Sequence, residues 1–155
     1  MGAPECEPRI RVAAVLVVDG CLVLVRHERE GQSYHLLPGG GVKPGETLAQ
    51  ALHREVQEET GLVCQIRRPL FINDTLSPAE GRHIVNITFL AEVTGGNLSA
   101  QPLDPRVAGH DLVRPADLAD LDLRPPIAAH LQRAAQAGFD VPAAYLGPLW
   151  TDGCR

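Results

Sequence analysis

Apolar residues arrive in short runs near the start of the chain. Val, Ile, Leu and Ala dominate residues 10–18, Asp19-Gly20 interrupts them, and residues 21–25 resume the pattern. This predicts a β-hairpin around a tight turn. The polar stretch 26–33 reads as a loop, and 34–37 as a short strand halted by Pro38 and the glycines after it. The period then changes. From 47 to 60 there is no Gly or Pro, and Leu48, Leu52 and Val56 recur every four residues with Ala49 and Ala51 beside them. That spacing predicts an amphipathic helix, introduced by the Pro44-Gly45 turn and ended by Gly61.

Beyond the helix, 62–72 and 83–93 are rich in β-branched and apolar residues and read as long strands. A polar loop, 73–82, is expected between them, and Thr94-Gly95-Gly96-Asn97 closes the second. A Pro/Asp-rich loop at 101–109, a short strand at 110–113, a short helix at 115–121 and a final helix at 126–137 complete the pattern. No repeat, low-complexity tract or linker interrupts it. The tail from 138 carries Tyr145 and Trp150. It could dock on the domain or reach a neighbouring subunit, which leaves a homodimer open.

The length of 155 residues suits one domain, 1–155, with its core at about 9–137. Hydrophobic residues make up 45% and charged residues 21%, an ordinary globular balance. The net charge of −5 argues against a broad nucleic-acid footprint, which needs a basic surface. A phosphate-bearing ligand would need a metal ion or a few placed arginines to offset repulsion. Cys6, Cys21, Cys64 and Cys154 form no CxxC pair and no zinc-like spacing with histidine, so free thiols are expected. The polar N-terminus and the brief apolar run at 12–18 point to no membrane partner and to a soluble, cytoplasmic protein.

Within the predicted helix, Glu55, Glu58 and Glu59 stand three or four positions apart and share one side, while Leu48, Leu52 and Val56 point towards the core. Like charges at that spacing destabilise an isolated helix by roughly 0.2–0.5 kcal/mol per pair. A solvated surface face is the plain interpretation. The sharper one is a cluster for a hard divalent cation, which prefers carboxylate and carbonyl oxygen.

The flanking residues separate the two. Gly40 is followed after five residues by Glu46, and after seven more by Arg54-Glu55-Val56, then Glu58-Glu59, Gly61 and Leu62. Every fixed position of the Nudix box is present. Seven fixed letters at ordinary usage give a chance match on the order of 10⁻⁹ per starting position. The chain thus resembles the Nudix hydrolase superfamily, also called MutT-like, with the box at 40–62 and a less specific likeness in element order over roughly 9–137. A P-loop would need Gly-Lys-Ser/Thr, whereas Gly45 is followed by Glu46.

The resemblance implies an α/β fold, the Nudix α/β/α sandwich, with a mixed curved β-sheet between helices. It also implies hydrolysis, dependent on Mg²⁺ or Mn²⁺, of a phosphoric anhydride in a nucleoside diphosphate linked to another group. ADP-ribose or a nucleotide sugar is one option for that substrate and a non-standard nucleoside triphosphate another. By similarity, Glu55 and Glu59 are the principal metal ligands, Glu58 is a further ligand or the base for water, and the carbonyl of Gly39 is another ligand. Arg54 and Glu46 resemble residues that orient the carboxylates, with an ordinary surface ion pair as the alternative. Gly40 and Gly41 let backbone and substrate approach closely. A further carboxylate is expected from a later loop, where Asp104 is the candidate ahead of Asp111, Glu80 and Glu92. Arg26 and Arg82 could meet substrate phosphate, although an exposed arginine is the plainer interpretation of either. His35 and His83 stand at strand starts, where histidine more often serves as a structural hydrogen-bonder. The rival class is a catalytically silent Nudix-fold domain that binds a nucleotide and reports it to a partner. The complete set of box carboxylates favours the enzyme.

Overall fold

The computed structural model describes residues 7–98 and 102–150. In chain order the strands and helices are β1 (Arg9–Val15), β2 (Val17–Val18), β3 (Cys21–Arg29), β4 (Gln32–Leu36), β5 (Gly39–Gly41), α1 (Leu48–Thr60), β6 (Leu62–Ser77), β7 (Arg82–Gly96), β8 (Val107–Val113), α2 (Ala128–Gln136) and β9 (Ala144–Trp150). Short 3₁₀ turns occupy Pro78–Glu80 and Pro115–Asp120.

The larger sheet runs β5-β1-β7-β6-β9. It is mixed, because β1 pairs parallel with β7 and β9 parallel with β6, while β5–β1 and β6–β7 are antiparallel. In the smaller sheet β3 is central, with β2 and β4 along one edge and β8 along the other. The alternation of β1 explains the layering. Val12 and Ala14 pack with Ala51, Leu52 and Val56 of α1, whereas Ala13 and Val15 belong to a second core with Leu22 and Leu24 of β3 and Leu131 and Ala134 of α2. A strand buried on both faces reads as a continuous apolar run, as residues 12–16 do. The expected α/β/α sandwich is what forms.

Two stretches predicted as loops are strand. Residues 26–33 complete a second hairpin, with Arg29 opposite Gln32 across a two-residue turn. Glu30 and Gly31 both adopt positive φ, 53° and 76°, the twist that suits such a turn. Residues 73–82 likewise extend β6 and β7, and the turn contracts to 78–81. The polarity of both stretches concealed strands whose ladders are made by backbone and whose side chains are pleated out to either face. Strand β8 also starts earlier than its apolar residues suggested, at Val107. Pro69 sits inside β6, where a shift of register to either side accommodates its missing donor. The tail docks on this same chain. β9 adds to the sheet edge, and Leu146 and Leu149 pack against the core. Cys21 and Cys64 are free thiols, the latter pushed up in pKa by burial. Cys6 and Cys154 lie outside the described residues.

Candidate active site

Helix α1 is fixed at both ends. The Thr47 hydroxyl accepts from the Gln50 amide, and the Gln50 side chain accepts in return from the Thr47 amide, a reciprocal capping box. At the other end Gly61 adopts φ 77° and donates its N–H to the Gln57 carbonyl. Only a residue without Cβ enters that conformation at little cost, which explains the box glycine at this position.

The glutamates are not stacked on the solvated side. Glu55 and Glu59 are only 6% and 2% exposed and border the stripe of Leu52 and Val56, while Glu58 remains partly open. They are covered by the glycine strand. A Cβ built on Gly40 would lie 2.3 Å from the Glu55 carboxyl carbon, and one on Gly39 only 2.0 Å from the Val12 carbonyl oxygen. A side chain at Gly39 would drive β5 off β1, and one at Gly40 would displace the Glu55 carboxylate. The Gly39 N–H donates to Glu59 Oε1 at 2.6 Å, which locks strand to helix.

Arg54 organises the rest. Its Nε and Nη2 form a two-pronged pair with Glu46 at 2.7 and 2.8 Å, Nη1 donates to Glu55 Oε1 at 2.7 Å, and Nη2 also reaches the Gly41 carbonyl at 3.1 Å. Glu58 Oε2 lies further off, at 3.5 Å from Nη1. Loop, helix and glycine strand thus meet on one guanidinium. Hydrogen bonds from Arg54, helped by the Lys43 amide, hold the Glu46 carboxyl down to about 2. The Glu46 contact in turn raises Arg54 above its ordinary value. Burial pushes Glu55 up, and repulsion from Glu59 adds to it against the pull of Arg54.

Among the described residues, no three His, Cys, Asp or Glu side chains stand as a ready-made metal cage. The donor set nevertheless suits a hard cation. Glu55 Oε2 is buried with no hydrogen-bond partner. Two buried carboxylates four residues apart are costly unless compensated, and a divalent ion would satisfy both that oxygen and the excess charge. Arg54 holds one Glu55 oxygen and leaves the other, so orientation is supplied without blocking the site.

The remaining candidates divide. The loop of Asp104 is brought to the box, since the Leu103 amide donates to the Glu58 carbonyl at 2.9 Å. Its carboxylate, however, is gripped by Arg106, with Nη2 2.6 Å from Oδ2, and that contact lowers its pKa. Arg26 is turned onto Asp111 at 3.0 Å, and the same carboxylate meets His35 at 2.7 Å. Burial pushes Asp111 up, but these two partners outweigh it and leave the acid below its usual range. Arg82 stands at the β6–β7 tip, 3.4 Å from Glu80. It lies about 13 Å along β7 from Asn86, which pairs with Arg11 opposite Gly41. His83 pairs with Asp74 at 2.9 Å and Glu92 with Arg67. Neither Arg82 nor these last pairs reach the box.

Four residues near the carboxylates were not singled out from sequence. Arg11 and Arg106 interact with the charges of Glu55 and Glu59. His110 contacts the Glu59 carbonyl through Nε2, and His27 Nε2 faces Glu59 Oε2 at 4.0 Å. For His27 the signal was alternation with Val23 and Val25, had β3 been carried past residue 25.

The description of the NUDIX domain matches residues 7–134, most of the chain. The chain belongs to the NUDIX family. Members of that family generally use divalent metal ions. An ADP-ribose pyrophosphatase of Methanocaldococcus jannaschii is 30% identical over 95 residues, 61% of this chain and 56% of that protein. A human 8-oxo-dGDP phosphatase is 35% identical over 105 residues, 63% of this chain and 31% of that protein. The chain therefore spans about half or less of these relatives. A NUDIX hydrolase from Nitrosomonas europaea superposes with a TM-score of 0.73 at 25% identity, covering 85% of this chain and 90% of that one. No helix among the described residues is long and apolar enough to cross a membrane.

Proposed function

We propose that this chain is a divalent-metal-dependent pyrophosphohydrolase that cleaves a phosphoric anhydride in a nucleoside diphosphate linked to another group. The observation that carries the reading is the pair of buried carboxylates beneath a strand of glycines, Glu55 held by Arg54 with its other oxygen unpartnered and Glu59 held by the Gly39 amide. Arrangements that leave buried charge incomplete destabilise the fold unless a ligand completes them.

Glu55 and Glu59 are the residues that would hold Mg²⁺ or Mn²⁺, with the Gly39 carbonyl as a backbone donor. When bound, such a cation masks phosphate charge and lowers the pKa of water. Arg54 orients Glu55 and fixes the loop through Glu46. Glu58, partly exposed and only loosely engaged by Arg54 at 3.5 Å, takes the proton from the attacking water on its carboxylate. The backbone at Gly41 leaves room for substrate, since nothing lies within 4 Å of a Cβ built there, whereas the bare Gly40 backbone lies against Glu55. Asp104 is a substrate-side carboxylate only if Arg106 releases it.

The relatives named as acting on ADP-ribose and 8-oxo-dGDP share a nucleoside diphosphate, and that shared unit is the substrate class proposed here. ADP-ribose, nucleotide sugars and modified nucleotides form the panel to assay with Mg²⁺ or Mn²⁺, with a 5′-capped RNA oligonucleotide as the test of the small-molecule preference. Release of a nucleoside monophosphate is expected, and heavy-oxygen water would mark the phosphorus attacked. Tight nucleotide binding without turnover of any panel member, unchanged in Glu58→Gln, would show a silent binding domain instead.

A further inference from the structure

Among the described residues three buried side-chain atoms have no hydrogen-bond partner: Glu55 Oε2, His27 Nε2 and Asn73 Oδ1. The first belongs to the carboxylate pair. The second borders the same pair from the opposite sheet. His27 lies on β3, just past the register shift against β8, with its side chain 14% exposed and Nε2 4.0 Å from Glu59 Oε2. That separation is too long for a hydrogen bond. A buried nitrogen left without a partner destabilises a fold, so its orientation needs a cause.

The cause is aromatic packing. The imidazole meets the ring of Tyr34 edge-on at 5.4 Å, and the Arg124 guanidinium lies 4.1 Å from the centre of that ring. Arg124 is itself tied to β4, because its N–H donates to the His35 carbonyl at 2.9 Å. His27 is thereby held by its ring, which leaves Nε2 uncommitted. Each neighbouring donor has a partner within the fold: Arg11 Nη2 donates to the Leu37 carbonyl at 3.0 Å, Arg106 pairs with Asp104, and His110 meets the Glu59 carbonyl. An imidazole with Nε2 protonated donates whether neutral or charged.

We infer that His27 donates from Nε2 to a phosphate oxygen of the substrate's diphosphate, as a phosphate-binding residue braced by Tyr34. This rests on the pyrophosphohydrolase reading. With Nε2 4.0 Å from Glu59 Oε2, His27 contacts a phosphate oxygen beside that carboxylate from β3, the side away from the helix. The role differs from that of a structural histidine, whose nitrogens would already be satisfied within the fold.

The test uses methylenediphosphonate, a pyrophosphate that cannot be hydrolysed, titrated with Mg²⁺ into wild type, His27→Ala and His27→Gln and followed by calorimetry. His27→Ala is expected to weaken it about 10- to 100-fold, the usual range for a hydrogen bond to a charged group. Gln, which can donate, should recover part of the loss. Binding of Mn²⁺ alone should be unchanged in both, and KM for the turned-over nucleotide should rise more than kcat falls. Tyr34→Ala should reproduce part of the defect and Tyr34→Phe none of it. Equal affinity of wild type and His27→Ala for the probe, with or without a lower melting temperature, overturns the assignment. Loss of Mn²⁺ binding in His27→Ala overturns it too, by making the residue a metal ligand. Hydrolysis by wild type with an unaffected His27→Ala removes this inference alone. Absence of both hydrolysis and probe binding in wild type removes the pyrophosphohydrolase reading with it.

Discussion

Helices α1 and α2 each cover one side of the strands, α1 with Ala51, Leu52 and Val56 and α2 with Leu131 and Ala134. Their starts differ. Both close on a left-handed glycine, Gly61 after α1 and Gly138 at φ 62° just beyond Ala137 after α2, but α1 starts from a reciprocal Thr47–Gln50 cap whereas α2 starts at Ile127 with no side-chain cap. At the end of α2 the Phe139 N–H donates to the Ala134 carbonyl at 2.7 Å and the Gly138 N–H to the Ala135 carbonyl at 3.0 Å, so only its start goes without a cap. The helix that carries two buried carboxylates is the one whose first turn is capped by side chains, and whose polar face is tied by Arg54 to a separate loop. Rigid support is what a functional constellation requires and a covering helix does not.

The comparison breaks most sharply at Glu59. Glu59→Gln keeps an oxygen for the Gly39 N–H and removes only charge, so the fold should survive while kcat falls about 10²- to 10³-fold, as for loss of one strong electrostatic group. Steady-state kinetics beside circular dichroism checks both halves. The mirror change is Leu131→Ala in α2, fully buried in the wild type. It should destabilise the protein by about 2–5 kcal/mol in urea unfolding and leave turnover per folded molecule unchanged. If Leu131→Ala altered kcat, the division of labour between the helices would be wrong.

Arg54→Ala removes the tie without touching a carboxylate. A weakening of Mn²⁺ binding by about 10- to 100-fold is expected, in line with loss of a group that orients metal ligands. Unchanged affinity would reduce the Arg54–Glu46 contact to an ordinary ion pair. Thr47→Ala should remove about 1 kcal/mol of stability through the cap, with a smaller effect on metal affinity than Arg54→Ala.

The same contrast governs what could be seen in the sequence. The box was legible because its chemistry depends on residue type at fixed spacing within one local element, and Thr47, Gly61 and the Leu52–Val56 stripe all agree on the helix. The burial of Glu55 and Glu59 was not legible, because a charge beside an apolar stripe is ordinarily assigned to solvent. It becomes intelligible only once Gly40 is seen pressed against Glu55. Arg26 illustrates the long-range limit. Its partner Asp111 is 85 residues away, joined to it only by the pairing of β3 with β8. His27 was hidden because Glu28, Arg29 and Glu30 around it give a loop-like composition, while the strand itself is defined by the Glu30-Gly31 turn and by backbone bonds that any side chain permits.

The smallest effect concerns the outer end of the Arg54 clamp. Glu46 has its carboxyl depressed from 4.5 to about 2 in the folded protein, chiefly by hydrogen bonds from Arg54. A depressed carboxyl contributes stability that is fully present above its unfolded value and is lost as pH falls through its folded value. The contribution of Glu46 should therefore be intact at pH 6 and decline between about pH 4.5 and 2. Urea midpoints for wild type and Glu46→Gln measured across that window should converge as the acid protonates, the wild type starting higher. Glu46 reaches solvent, which screens its pair with Arg54 and keeps the difference modest. A gap that persisted unchanged to pH 2 would mean that Glu46 acts through shape and amide-like hydrogen bonding, and that the charge in this clamp resides with Glu55 and Glu58 alone.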